Sequence, residues 1–189
     1  DPGLPQLAAF PGAFHDYYHQ DINLYGLSFS TLLGEFQSNG ELSYQPNAVS
    51  TQQVQPVLNA ATGTFATPEF EEAHVTQANL GFLYIVGNNK LSDGINIVGE
   101  AVYVRQNLKG DEVEDGVSLL NSRDAWGYTA SATLNYKSVM PGLNLDVPIA
   151  FKHSPSGSWK TLTLTDGAKE ASIGVKFTYL SDWKGQLKY

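Results

Sequence analysis

The chain contains no cysteine among its 189 residues. This absence excludes a disulfide framework, a thiolate zinc site and a cysteine nucleophile. Basic residues are also few: 11 Lys and Arg stand against 19 Asp and Glu, and the formal net charge is −8. A nucleic-acid-binding surface needs positive charge to neutralise phosphates, so we expect no nucleic-acid partner.

Long apolar runs are absent as well. The longest uninterrupted stretch covers only residues 82–86, whereas a membrane-spanning helix needs about 20 apolar residues. This excludes a helical membrane protein but not a β-barrel, whose strands carry only a weak alternating signal. The chain is instead rich in aromatic residues (12%) and glycine (18 residues), and only 16% of its residues are charged. Such a composition is typical of a chain built from strands, including strands that lie in lipid.

Apolar and polar residues alternate along most of the chain, which predicts strands with one apolar and one polar face. The clearest run has Trp126, Tyr128, Ala130, Ala132, Leu134 and Tyr136 on one face. The alternation recurs at 21–33, 36–44, 76–86, 95–106, 143–152 and 171–179, and a further strand starts at 186–189. Residues 95–106 are partly apolar on both faces. Pro148 cannot donate a ladder hydrogen bond, so we expect either a bulge at that position or a site that faces an irregular neighbour.

The connections between these strands alternate in length. Short turns are predicted at 34–35, 87–94, 138–142 and 181–185, and long polar loops at 46–71, 107–123 and 153–169. Outer-membrane barrels show this pattern, with short periplasmic turns and long outer loops.

Aromatic residues occur near both ends of the predicted apolar faces, as they do in membrane-interface girdles. The candidate interface aromatics are Tyr44, Tyr103, Trp126, Tyr128 and Phe151 on the long-loop side, and Phe36, Tyr136 and Tyr179 on the short-turn side. The alternative is a soluble, lipocalin-like ligand-binding barrel or surface binding module with an apolar interior. Loop lengths and girdles together favour an all-β, antiparallel, up-and-down transmembrane β-barrel.

About eight strands are visible, and the last is too short to span a membrane. An unpaired strand edge cannot face hydrocarbon, because its backbone groups would find no partners. We therefore expect residues 20–189 to be the C-terminal part of a larger barrel and residues 1–19 to form an outer segment.

The segment DINLYGLSFSTLLGEFQSNGELSYQPN (21–47) resembles a proteobacterial outer-membrane family known as domain of unknown function 1302. The resemblance rests on Asp21-Ile22, on YGLSF at 25–29 and on GELSY at 40–44, with Gln45 where arginine is common. The tail is similar too, through Gly127-Tyr128, HSPSG at 153–157 and EASIGVKFTYLSDWKGQLKY at 170–189. The resemblance implies a bacterial outer-membrane barrel of several hundred residues without established enzymatic activity. It also implies an association with an envelope export system, because relatives tend to be encoded near exporters.

The polar face of such a barrel would line a lumen. Its candidate lining residues are Glu41, Glu100, Asn135, Lys137, Asp146, Lys152 and Lys176. Rings of one sign select ions, whereas this mixture of signs favours a hydrated, salt-bridged interior. We expect a pore or transport component for small, hydrophobic solutes, in contact with outer-membrane lipid and lipopolysaccharide.

Three other patterns carry weaker signals. His15 and His19 have helical metal-ligand spacing but lack an intervening HExxH-type glutamate. The acidic run GDEVEDG (110–116) could attract Ca²⁺ or bridge to lipopolysaccharide, but it lacks the order of ligands in an EF-hand. His153 precedes three serines, which invites comparison with a membrane hydrolase, but the G-x-S-x-G nucleophile elbow is absent. We therefore expect no catalytic residue, no bound metal and no cofactor.

Overall fold

The computed structural model describes residues 21–50, 71–108 and 121–189, together with the backbone of two-residue strands at 52–53, 58–59, 64–65 and 118–119. Within these residues the chain forms strands and turns and no helix. None of the described segments is a helix long and apolar enough to cross a membrane.

Eight strands form one sheet, and we number them β1 to β8 along the chain. They are β1 (Tyr25–Leu33), β2 (Phe36–Ser50), β3 (Glu71–Val86), β4 (Gly94–Leu108), β5 (Asp124–Met140), β6 (Leu143–Ser156), β7 (Lys169–Tyr179) and β8 (Trp183–Lys188). Each strand pairs antiparallel with the next one along the chain. The predicted all-β, antiparallel, up-and-down arrangement is confirmed. Among the described strands, β1 and β8 are the edges of an open sheet.

Short and long connections alternate, as the sequence predicts. The short turns are 34–35, 87–93, 141–142 and 180–182, and the long connections are 51–70, 109–123 and 157–168. In two of the short turns a glycine adopts a left-handed conformation: Gly34 has φ of 65° and Gly142 has φ of 77°. Pro141 comes directly before Gly142, and this order is typical of a type II turn.

Several strand ends differ from the prediction. Strand β8 begins at Trp183, not at residue 186, because Leu180 and Ser181 both have positive φ and reverse the chain within three residues. Strands β2, β4 and β6 extend into regions predicted as loops. The bulge predicted at Pro148 is wrong, since the β6–β7 register is the same on both sides of that residue. The other expectation, an irregular neighbour, agrees with the register, because the β6–β7 pairing is interrupted at Val147 and Pro148.

The register gathers the apolar side chains of all eight strands on one surface. One row crosses β1 to β7 through Leu33, Phe36, Tyr84, Ile97, Ala132, Ile149 and Ile173. We call this surface the apolar face; it also includes Tyr25, Leu27, Phe29, Leu42, Tyr44, Leu80, Phe82, Tyr103, Trp126, Tyr128, Leu134, Tyr136, Leu145, Val147, Phe151, Val175, Phe177, Tyr179 and Leu187. Its side chains remain open to solvent: Leu80 is 54% exposed, Ile173 50% and Val175 42%.

Glycines on the apolar face accommodate aromatic rings from the neighbouring strand. Gly99 lies opposite Phe82, and a Cβ at Gly99 would lie only 2.2 Å from the phenyl Cε1. Gly40 beneath Phe29 and Gly185 beneath Phe177 repeat the arrangement. A ring lying over a glycine covers backbone that would otherwise be bare, a cross-strand packing known to stabilise sheets.

A small buried core lies at the long-loop end of the sheet, on the side opposite the apolar face. Val104 of β4 and Ala125 of β5 pack there with Trp159 and Leu164 from the last long connection. Beside them, the carboxamide of Gln106 accepts a hydrogen bond from the Ser50 hydroxyl and donates one to the Asn121 carbonyl. The sheet is thus anchored at one end, whereas its apolar face carries no packed layer from the described residues.

Candidate functional site

The surface opposite the apolar face, which we call the polar face, carries rows of hydrogen-bonding and charged side chains. One row crosses six strands through Asn39, Gly81, Glu100, Thr129, Lys152 and Glu170; we call it the Glu100 row. The structure therefore brings two predicted residues, Glu100 and Lys152, into one row with Thr129 between them. Adjacent strands lie about 4.8 Å apart, so the backbones of Glu100 and Lys152 are about 10 Å apart.

A second row lies nearer the short turns. It contains Asn135, Asp146, Lys176 and Gln186, and it thus gathers three more of the predicted residues. The Asn135 amide donates to the Asp146 carboxylate (Nδ2 to Oδ1, 2.7 Å), and the amide of Asn96 donates to Asn135 (3.4 Å). Lys176 lies directly opposite Asp146. Two opposite charges thus lie side by side between two amides, so this row is not a ring of one sign.

The remaining two predicted residues lie apart from these rows. Glu41 is opposite Asn79, nearer the long loops, and its side chain is exposed. Lys137 is close to the short turns, where its backbone N–H donates to the Asp93 carboxylate (2.6 Å). The seven residues therefore do not converge on one point.

The polar face is partly covered by residues 157–168, which we call the strap. Lys152 ties the strap to the sheet, because its Nζ donates to the carbonyl oxygen (3.0 Å) and to the hydroxyl (3.1 Å) of Thr163. Leu164 lies over Gly127, where a Cβ would approach the leucine Cδ2 to 2.6 Å. The missing side chain at Gly127 thus lets the strap lie directly on the sheet.

Hydrogen bonds also fix the strap at its base. The Asp166 carboxylate accepts from the Gly157 N–H (2.8 Å), and the Ser158 hydroxyl accepts from the Asp166 N–H (3.0 Å). The Ser158 N–H donates to the Ser122 hydroxyl (2.8 Å), which joins the strap to the segment before β5. The strap is thus an ordered part of the surface, although its sequence predicts only a long polar loop.

An apolar stripe runs through the polar face, and the sequence did not reveal it in full. We define the stripe as Leu32, Leu83, Ile85, Val98 and Val102. Leu83 lies opposite Val98 in the register, and Leu32, Leu83 and Ile85 border a cavity of about 360 Å³ at the short-turn end. Mixed apolar character at 95–106 was the one sequence signal for it.

The predicted interface aromatics all lie on the apolar face. At the long-loop end Trp126, Tyr128 and Phe151 form a chain of rings with centroids 6.1 Å apart at each step. Tyr44 stacks on His74, and its hydroxyl lies 3.1 Å from the imidazole Nδ1. Tyr136 and Tyr179 lie near the short turns, as does the stacked pair Phe36 and Phe82.

The weaker sequence patterns have different outcomes. His153 contacts Tyr128 on the apolar face, whereas Ser154 lies beside Gly127 on the polar face. These two side chains therefore point away from each other and do not form a catalytic pair. His15, His19 and the acidic run at 110–116 lie outside the described residues.

A family model described as "Protein of unknown function (DUF1302)" matches residues 3–189, nearly the whole chain. No curated protein and no solved structure matches the chain.

Proposed function

The chain belongs to the DUF1302 family, whose description assigns no function, and we propose from its geometry that it forms the wall of an outer-membrane β-barrel. In this proposal the apolar face contacts lipid and the polar face lines a pore for small hydrophobic solutes. The observation that carries the proposal is the continuous, exposed apolar face across eight strands.

Exposure of this extent is unusual for a protein in water. Soluble monomers rarely expose contiguous apolar patches larger than a few hundred Å², because such patches associate. Here the exposed apolar side chains extend from Leu27 of β1 to Leu187 of β8. A bilayer would remove this surface from water without any further protein layer.

The spacing of the aromatic residues also supports a membrane position. Trp126 and Tyr136 lie ten residues apart on β5 and border Ala130, Ala132 and Leu134. At about 3.3 Å per residue this spacing measures about 33 Å along the strand. A strand tilted by about 40° would cover about 25 Å of depth, the height of the apolar band in outer-membrane barrels.

The soluble alternative makes the opposite prediction about burial. In a lipocalin-like barrel the apolar side chains would pack inside, and the hydroxyls and amides would face water. Yet Val175 and Ile173 are about half exposed, and the buried core lies on the polar side. These observations favour the membrane barrel.

The apolar stripe supports hydrophobic solutes as cargo. A pore for salts or sugars needs only polar walls, whereas an apolar molecule gains from apolar contacts along its path. The stripe supplies such contacts from the cavity near Leu32 to Val98, and again at Val102 beside the strap, with Glu100 between Val98 and Val102. The neighbouring polar rows would keep the rest of the bore hydrated.

The proposal requires that both sheet edges be paired in the membrane. Unpaired N–H and C=O groups in hydrocarbon cost several kcal/mol each, so β1 and β8 need hydrogen-bonded neighbours. Closure of the wall, by pairing of the two edges or by additional strands, is therefore part of the proposal.

Electrophoresis tests the barrel, and reconstitution tests the pore. The complete protein, including any strands that adjoin this chain, should migrate in cold SDS as a compact species that slows on boiling; a single unshifted band would contradict the barrel. In vesicles, Leu83→Asn should slow the entry of an apolar solute and leave salt conductance nearly unchanged. Leu80→Asn, on the apolar face, is the control that should impair insertion instead.

A further inference from the structure

A second cavity lies between the strap and the polar face. Its volume is about 220 Å³, smaller than the roughly 300–1,000 Å³ of pockets that hold drug-sized ligands. Thr129 and Glu100 form part of its floor, and Leu162 and Leu164 of the strap form part of its roof. Its size restricts an occupant to about one ring with a short substituent.

One end of this cavity is apolar. Val102 projects from the sheet on the same face as Glu100, two residues away, and Leu162 and Leu164 approach from the strap. Leu164 is only 5% exposed and packs into the buried cluster, which holds this wall in place. A ligand with a small hydrocarbon body would find a preformed apolar contact there.

The ionic groups of the cavity are not equally available to a ligand. Lys152 directs two of its three ammonium donors to Thr163, and Glu170 is its neighbour in the register. Glu100 makes no hydrogen bond or ion pair with the residues that the structure describes, and its register neighbour on β3 is Gly81, which has no side chain. With Lys152 about two strand spacings away, the carboxylate of Glu100 is the ionic group open to an occupant.

We propose that this cavity binds small lipophilic ammonium ions. Glu100 would accept hydrogen bonds from the ammonium group, while Val102, Leu162 and Leu164 contact the hydrocarbon body. One part of this proposal rests on the proposed pore, namely that the cavity is a solute site on the transport path. The binding itself needs no conduction.

Calorimetric titration of the full chain in a nonionic detergent tests the site with three probes of one shape. Benzylammonium should bind more tightly than the neutral benzyl alcohol, and benzoate should bind most weakly. Glu100→Gln should weaken benzylammonium binding about five- to tenfold and leave benzyl alcohol unchanged, as expected for loss of one charge-assisted hydrogen bond. Glu41→Gln is the matched control on the same face, and it should change neither the benzylammonium affinity nor the benzyl alcohol affinity.

Two results would overturn the proposal. One is equal benzylammonium affinity in the chain and in the Glu100→Gln variant. The other is tighter binding of benzoate than of benzylammonium, which would make Lys152 the principal ionic contact.

A second variant tests the apolar wall of the site. Leu162→Ala changes a partly buried lining residue outside the buried cluster, and it should weaken benzylammonium and benzyl alcohol alike, because both lose the same apolar contact. Glu100-dependent binding without conductance in vesicles would support the site and reject the pore. Conductance without such binding would support the pore and reject the site.

Discussion

Lysine in place of Val175 gives a sharp test of which face meets lipid. Val175 lies next to the centre of β7 (Lys169–Tyr179), and its side chain is 42% exposed on the apolar face. A lysine near the bilayer midplane destabilises an outer-membrane barrel by about 2–4 kcal/mol. This is about a 30- to 900-fold decrease in the folding equilibrium constant. If the position faced water, the same substitution would cost less than about 1 kcal/mol.

The measurement is reversible urea unfolding of the full chain in phospholipid vesicles, followed by tryptophan fluorescence. Lys176→Gln is the neighbouring control, because residue 176 lies on the polar face opposite Asp146. Loss of that exposed charge should change the free energy of unfolding by no more than about 1 kcal/mol. Equal effects at the two positions, or a larger effect at 176, would refute the facing assignment.

Further predictions concern the strap and the core beneath it. Gly157→Ala should destabilise the strap by at least about 2 kcal/mol, since a Cβ there would lie 2.1 Å from a backbone oxygen. The control is Gly167→Ala, because Gly167 also has a positive φ but a Cβ there would meet open space, so its loss of stability should be clearly smaller. Equal melting temperatures for the two variants would contradict this packing. Gln106→Leu should cost about 1–3 kcal/mol in urea unfolding, because the Asn121 carbonyl loses its buried donor; an unchanged midpoint would argue against the network. Trp159→Ala should expose the strap to trypsin while the sheet stays protected, because the buried indole holds the strap on the sheet; digestion at the rate of the unaltered chain would contradict this role.

Much of the sheet could be predicted from alternation alone. A strand turns successive side chains to opposite faces, so the pattern from Trp126 to Tyr136 fixed both the strand and its apolar side. Gly34 and the Pro141-Gly142 pair located two turns, because these residues favour the backbone angles that such turns need. Family membership was likewise correctly predicted from the YGLSF and GELSY segments.

The position of the strap and its buried core could not be predicted from the sequence, for a physical reason. Trp159 and Leu164 are buried by contacts with Val104 and Ala125, which lie far away in the sequence. Alternation reports local geometry and carries no information on which distant surface a loop covers. The polar residues around Trp159 therefore predicted a solvated loop, whereas tertiary packing buries its two large apolar side chains.

The register also grouped the predicted polar residues in a way that alternation could not. Alternation assigned Glu100 and Lys152 to one face, but it did not say that only Thr129 separates them. That spacing depends on which residues of neighbouring strands lie opposite each other, and the turns and bulges set this pairing. The bulges lie beside Gln45, Leu143 and His153, not at Pro148.

Spin labels along β7 test the central claim most directly, because the chain has no cysteine and each introduced cysteine is the single labelling position. Labels are placed, one per variant, at Ile173, Val175 and Phe177 on the apolar face and at Ser172, Lys176 and Thr178 on the polar face. In vesicles, the first three labels should relax faster with oxygen, which concentrates in lipid, and the other three with a water-soluble nickel chelate. Labels at 173, 175 and 177 that respond only to the chelate, or to neither reagent, would contradict a lipid-facing apolar surface.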